Sequence, residues 1–199
     1  MERTISVLVN DRPGVLARIA GMFARRGFNI ASITVGTAEE EGLSRMTIVS
    51  FGDDAMALQI VSQLQKLIDV IEVHDISKEQ TVKRELALVK VHTTKTTRPE
   101  IAHILEPFRV SVVDVGHASL TVQVTGDVKK IDALIGLLRP FGVAEIARTG
   151  VTALLRSGIL ESATVGETAS FRPLIETAAQ DARDDLQDTR DDLFETERE

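Results

Sequence analysis

Two stretches of this chain, 74 residues apart, end a strand pattern in the same way: Thr47-Ile-Val-Ser-Phe-Gly-Asp53 and Thr121-Val-Gln-Val-Thr-Gly-Asp127. Each is a β-branched, apolar run closed by Gly-Asp. The glycine punctuates the strand, and the aspartate can cap the helix that follows. A repeat of this kind restricts the chain to two copies of one supersecondary unit.

The patterns around the two stretches agree. In the first half, Thr4–Asn10 reads as a strand and Pro13 to about Arg26 as a helix, with Val15, Ile19, Met22 and Phe23 on one face. Phe28–Val35 and Ser44–Phe51 are strands around a charged loop, Thr37–Gly42. A helix runs from Gly52-Asp53-Asp54 to about Leu67, with Leu58, Val61, Leu64, Leu67 and Ile68 expected inward, and Val70–Ile76 is a fourth strand. In the second half the series is Glu85–His92, helix Arg98–Phe108, hairpin Val110–Val115 and Leu120–Thr125, helix Val128–Leu138, strand Val143–Ala147. Both halves read βαββαβ. The expected fold is α+β: two ferredoxin-like domains with antiparallel sheets and helices on one face. Residues 1–76 form the first domain, 77–83 a linker, 84–160 the second domain and 161–199 an acidic tail.

Charge placement separates body from tail. Residues 161–199 hold 12 Asp/Glu and 4 Arg, while residues 1–160 hold 18 acidic and 19 basic residues. A neutral body lacks the basic face of a nucleic-acid binder. Seven Phe with no Tyr or Trp offer few stacking surfaces for bases. No apolar run approaches the roughly 18–20 residues that span a bilayer, and no signal peptide is read at the N-terminus, so the expected location is cytoplasmic. In the tail, Ile175, Ala179, Ala182, Leu186, Thr189 and Leu193 form a thin apolar stripe. It reads either as a solvated helix or as one that docks on a partner.

Catalysis finds little support. There is no cysteine, and His74, His92, His103 and His117 fall in separate elements without metal-ligand spacing. No nucleophile elbow or phosphate-binding glycine loop is present. What stands out is the turn Asp11-Arg-Pro-Gly14 before the first helix. Free amides at a helix start, with no Cβ at Gly14, suit a carboxylate; a purely structural turn glycine is the alternative. Asn29 can offer its amide oxygen to an ammonium group or serve the local turn. Asp11 suits either that ammonium or a helix cap. The corresponding turn in the second half, Thr93 to Glu100, is longer and lacks glycine.

The segment Val7-Leu-Val-Asn-Asp-Arg-Pro-Gly-Val-Leu-Ala-Arg-Ile-Ala-Gly-Met-Phe-Ala-Arg-Arg-Gly-Phe-Asn-Ile-Ala-Ser-Ile-Thr-Val35 closely resembles the ACT domain of acetolactate synthase (acetohydroxyacid synthase) small subunits. Leu43-Ser-Arg-Met-Thr-Ile48, Leu67-Ile-Asp-Val-Ile71, Glu85-Leu-Ala-Leu-Val-Lys-Val91 and Ala147-Arg-Thr-Gly-Val151 extend the resemblance, which covers about residues 1–158. The resemblance implies a non-catalytic regulatory subunit with no cofactor of its own. Its partner would be a large catalytic subunit that uses thiamine diphosphate, Mg2+ and FAD to make acetolactate in branched-chain amino-acid synthesis. The small subunit would activate that partner and confer feedback inhibition, usually by valine.

The resemblance also implies a homodimer through the ACT domains, with the effector between the Pro-Gly turn of one chain and the strand start near Asn29 of the other. The effector residues carried over are Asp11, Gly14, Val15, Leu16, Asn29 and Ile30. Many relatives have Asn where Asp11 stands. The rival expectations are an ACT-domain amino-acid sensor unconnected with acetolactate synthase, and a stand-alone enzyme on the same fold.

Overall fold

A computed structural model describes residues 1–157; the expectations for the tail and for the last residues of the second domain lie outside that range. The first half contains β1 (Glu2–Asn10), α1 (Val15–Arg26), β2 (Ile30–Thr37), β3 (Leu43–Phe51), α2 (Asp54–Leu64) and β4 (Val70–Asp75). The second contains β5 (Thr81–His92), α3 (Thr97–Leu105), β6 (Ser111–Val115), β7 (Ser119–Gly126), α4 (Val128–Leu138), β8 (Val143–Arg148) and β9 (Thr152–Leu155). The first sheet has strand order β2-β3-β1-β4 and the second β6-β7-β5-β8, all pairs antiparallel. The two orders are the same under the sequence repeat, as the α+β, twice-ferredoxin-like expectation requires.

Register explains the layering. Ile33, Ile48 and Ile5 lie opposite one another in one row and face the helices, where Ile5, Ile48, Ile19, Phe23, Ile60 and Leu64 form a closed core. The next row, Thr34, Thr47 and Ser6, points to the other face, because side chains alternate along a strand. The second core repeats the scheme with Val89, Val122, Ile101, Ile131, Leu134 and Leu138.

The caps act as read. Asp53 accepts a hydrogen bond from the Met56 amide (2.8 Å) and Asp127 from the Lys130 amide (2.7 Å). Gly27 ends α1 in the left-handed region, φ 69°, after Arg25 and Arg26. Asp127→Ala is expected to destabilise the fold by about 1 kcal/mol, lowering the thermal midpoint by roughly 2–4 °C; a melting curve checks this.

Four expectations are corrected. α1 starts at Val15 rather than Pro13, because Arg12–Val15 is a type II turn with Pro13 and Gly14 at its centre. Leu58 and Ile68 are 69% and 92% exposed. The inward face of α2 is Ala57, Ile60 and Leu64, and the helix stops at Leu64, so the period projected beyond it misplaces Ile68. β5 begins at Thr81, inside the segment read as linker, because Thr81–Arg84 pairs with β9. β9 itself was not expected: at four residues it carries little pattern, and its partner lies far away in sequence.

Candidate functional site

The turn before α1 has a defined geometry. Gly14 sits at φ 88°, ψ −8°, the position of a type II turn that needs φ above zero. The Val15 amide closes the turn on the Arg12 carbonyl at 3.4 Å, so it is already used. Among the described residues, the amides of Gly14 and Leu16 have no hydrogen-bond partner. No side chain caps the helix, so the cap reading of Asp11 is set aside; its carboxylate is exposed and its amide donates to the Gly42 carbonyl at 2.7 Å. Val15 is buried, whereas Leu16 is 46% exposed beside the turn.

Arg18 and Asp69 were not among the expected residues. Arg18 stands one turn after Gly14, and its guanidinium lies 3.4 Å from where a Gly14 Cβ would be. It pairs with Asp69, whose side chain is 9% exposed. The signal available in the sequence was the i, i+4 spacing, which puts Arg18 on the Gly14 side of the helix. Arg18 stands beside the free amides with its charge paired to the Asp69 carboxylate.

Asn29 and Ile30 lie at the other end of α1. Asn29 is exposed just before β2, and its carbonyl accepts the Ser50 hydroxyl at 2.6 Å. Ile30 is half-buried at the strand start, opposite Ser50. The twelve residues of α1 separate the two groups by about 18 Å. Asp11, Gly14, Val15 and Leu16 therefore form one cluster, and Asn29 and Ile30 another. β2 is an edge strand of its sheet, with backbone groups on one side unpaired among the described residues.

A cavity of about 490 Å³ lies elsewhere, between the two halves, with Ser32, Phe51, Glu85, Val128, Arg148 and Val151 among its lining. It takes in none of the six candidate residues. At its wall, Arg148 grips the buried Glu85 with two hydrogen bonds (2.6 and 2.7 Å) and reaches Asp132 at 2.7 Å. These bonds, Glu85's foremost, push the guanidinium above its ordinary pKa against the opposing effect of burial. Among the described residues no group of three or more His, Asp or Glu side chains could hold a metal ion, and no helix is long and apolar enough to cross a membrane.

Two family profiles match this chain: an AHAS small subunit-like ACT domain over residues 5–72 and the small subunit of acetolactate synthase over residues 84–157. The chain belongs to the acetolactate synthase small subunit family. It is 56% identical over 153 residues to the probable acetolactate synthase small subunit of Methanothermobacter thermautotrophicus, covering 76% of this chain and 91% of that one. It is 50% identical over 171 residues to the acetolactate synthase small subunit of Bacillus subtilis, covering 85% and 99%. The crystal structure of the acetolactate synthase small subunit from Thermotoga maritima matches with a TM-score of 0.73 at 44% identity, covering 78% of this chain and 98% of that one. Membership in the small subunits, with an ACT-type module at residues 5–72, supports a regulatory, non-catalytic role.

Proposed function

We propose that this chain activates a catalytic large subunit of acetolactate synthase and carries its feedback inhibition by a branched-chain amino acid, valine foremost. Thiamine diphosphate, Mg2+ and FAD belong to that large subunit. The effector binds where two copies of the first domain meet. The free amides of Gly14 and Leu16, with Arg18 beside them, take the carboxylate. Asn29 of the second copy takes the ammonium, with Asp11 adding a negative charge. Leu16, Val15 and Ile30 contribute apolar surface for the branched side chain.

The observation that carries this reading is the split of the candidate residues between the two ends of α1. A free amino acid cannot bridge about 18 Å, so one chain cannot complete the site. A two-fold pairing that sets the helices side by side and antiparallel joins the halves twice, once at each end. The unpaired edge of β2 is the surface available for it. Inhibition then follows by linkage: an effector that binds the less active arrangement more tightly draws the complex toward it.

Calorimetric titration with valine, with leucine and isoleucine as comparators, tests the assignment. Saturable binding is expected for at least one of the three, and Asn29→Ala is expected to weaken it by at least tenfold, about 1.4 kcal/mol. Binding unchanged in Asn29→Ala removes the strand start from the site.

A further inference from the structure

The outward row of the first sheet is capped by main chain from the second half. The Val151 amide donates to Ser32 Oγ at 3.1 Å, and the Val151 carbonyl accepts from Thr34 Oγ1 at 3.0 Å. Two residues on, the Ala153 amide donates to Thr47 Oγ1 at 3.4 Å. Val151 and Ala153 are 5% and 2% exposed, and the Ser32 and Thr34 side chains that meet Val151 are half-buried. Gly150 makes the approach feasible: it sits at φ 82°, and a Cβ there would lie 2.4 Å from Ser32 Oγ. Val49, Ile76, Val151 and Ala153 close the contact as a small apolar cluster.

The strand that supplies Ser32 and Thr34 is β2, which begins at Ile30. Side-chain hydroxyls at successive outward positions of one strand hold both polar groups of one buried residue. Any shift of β2 along its axis must therefore carry Val151 with it or strand both groups without partners. Ser50 ties the strand start to β3 through the Asn29 carbonyl, and a register irregularity between Ile30 and Ser32 lies between that start and the seam.

We infer that Ser32 and Thr34 are positioning residues that pass effector occupancy at Asn29–Ile30 into the second half by way of Val151. This rests on the effector reading given above. Such a relay requires an open state of the hydroxyl seam besides the closed one of this structure, and packed interfaces of this kind switch between arrangements rather than deforming smoothly. An effector that favours one state over the other changes what the second half presents to the large subunit.

The test uses the full chain reconstituted with the large subunit. Thr34→Val removes the hydroxyl and keeps the β-branched shape; Thr34→Ser keeps the hydroxyl. Thr34→Val is expected to bind valine within about twofold of wild type and to activate normally, while the half-inhibiting valine concentration rises about tenfold or more. Thr34→Ser is expected to restore inhibition. In the wild type, valine is expected to change hydrogen exchange at the Val151 and Ala153 amides, a readout that needs no variant. Unchanged exchange, wild-type inhibition in Thr34→Val, or loss of valine binding together with inhibition would each overturn the seam and leave the effector site standing. A wild type that binds none of the three amino acids would overturn the effector reading itself, and the seam with it.

Discussion

Gly14→Asp is expected to leave a complex that is activated but no longer inhibited by valine. Two effects follow. The substitution sets a carboxylate against the effector carboxylate where the Gly14 and Leu16 amides are free. It also forces an L-residue into φ 88°, at a cost of roughly 1–2 kcal/mol, with its Cβ 3.4 Å from the Arg18 guanidinium. The charge repulsion should weaken the effector by about a hundredfold, roughly 2.7 kcal/mol, while the strain falls on folding stability. Gly14→Ala separates the causes, since it carries the backbone strain without the charge. Gly14→Ala is expected to lower stability while keeping most of the inhibition, and Gly14→Asp to abolish it. Valine titration of large-subunit activity reads both. Inhibition by valine at wild-type concentrations in Gly14→Asp would remove the turn from the site.

The largest expected loss of stability comes from Arg148→Met. Glu85 has a side chain only 4% exposed, and Arg148 is its bidentate partner. Removing the cation leaves a buried carboxylate without compensation. Because the guanidinium is 32% exposed, solvent screening puts the cost at the low end for a buried pair, about 2–3 kcal/mol. The thermal midpoint should fall by roughly 4–12 °C. The double variant Glu85→Leu with Arg148→Met should recover most of it, since an apolar pair of similar volume avoids the desolvation cost of both charges. Thermal unfolding of the three variants checks this. A double variant as unstable as the single one would show that the ion pair, rather than its desolvation, decides the local structure.

What the sequence makes legible here is local. Strand alternation, Gly-Asp before each second helix, and Gly27 after Arg25-Arg26 are short-range signals, and the elements they mark are present, with α1 starting later and α2 ending earlier than read. Pro13-Gly14 was legible as a turn, though its type II geometry moves the helix start to Val15. The misreadings have physical causes. Ile68 was turned inward by extending a 3.6-residue period past the end of α2, where the chain has already turned, whereas Leu58 lies within α2 but off its buried face of Ala57, Ile60 and Leu64. Arg18 beside Gly14 was readable by spacing, but its buried partner Asp69 stands 51 residues away. The hydroxyl seam was out of reach. Ser32 and Val151 are 119 residues apart, and neither residue type advertises such a contact. An outward Ser or Thr on a strand is ordinary until something covers it.

An effector site shared in this way needs two copies of the chain, each supplying one end of α1. Mixing Gly14→Asp chains with Asn29→Ala chains tests it most directly. Each variant alone forms dimers with every site damaged. In a mixed dimer of the same fold, one site collects both substitutions and the other collects neither. After denaturation and refolding of an equal mixture, calorimetry is expected to recover valine binding at wild-type affinity with roughly one quarter of the wild-type capacity. No recovered binding in the mixture, with each chain folded and dimeric, would contradict a shared site and place the effector within a single chain.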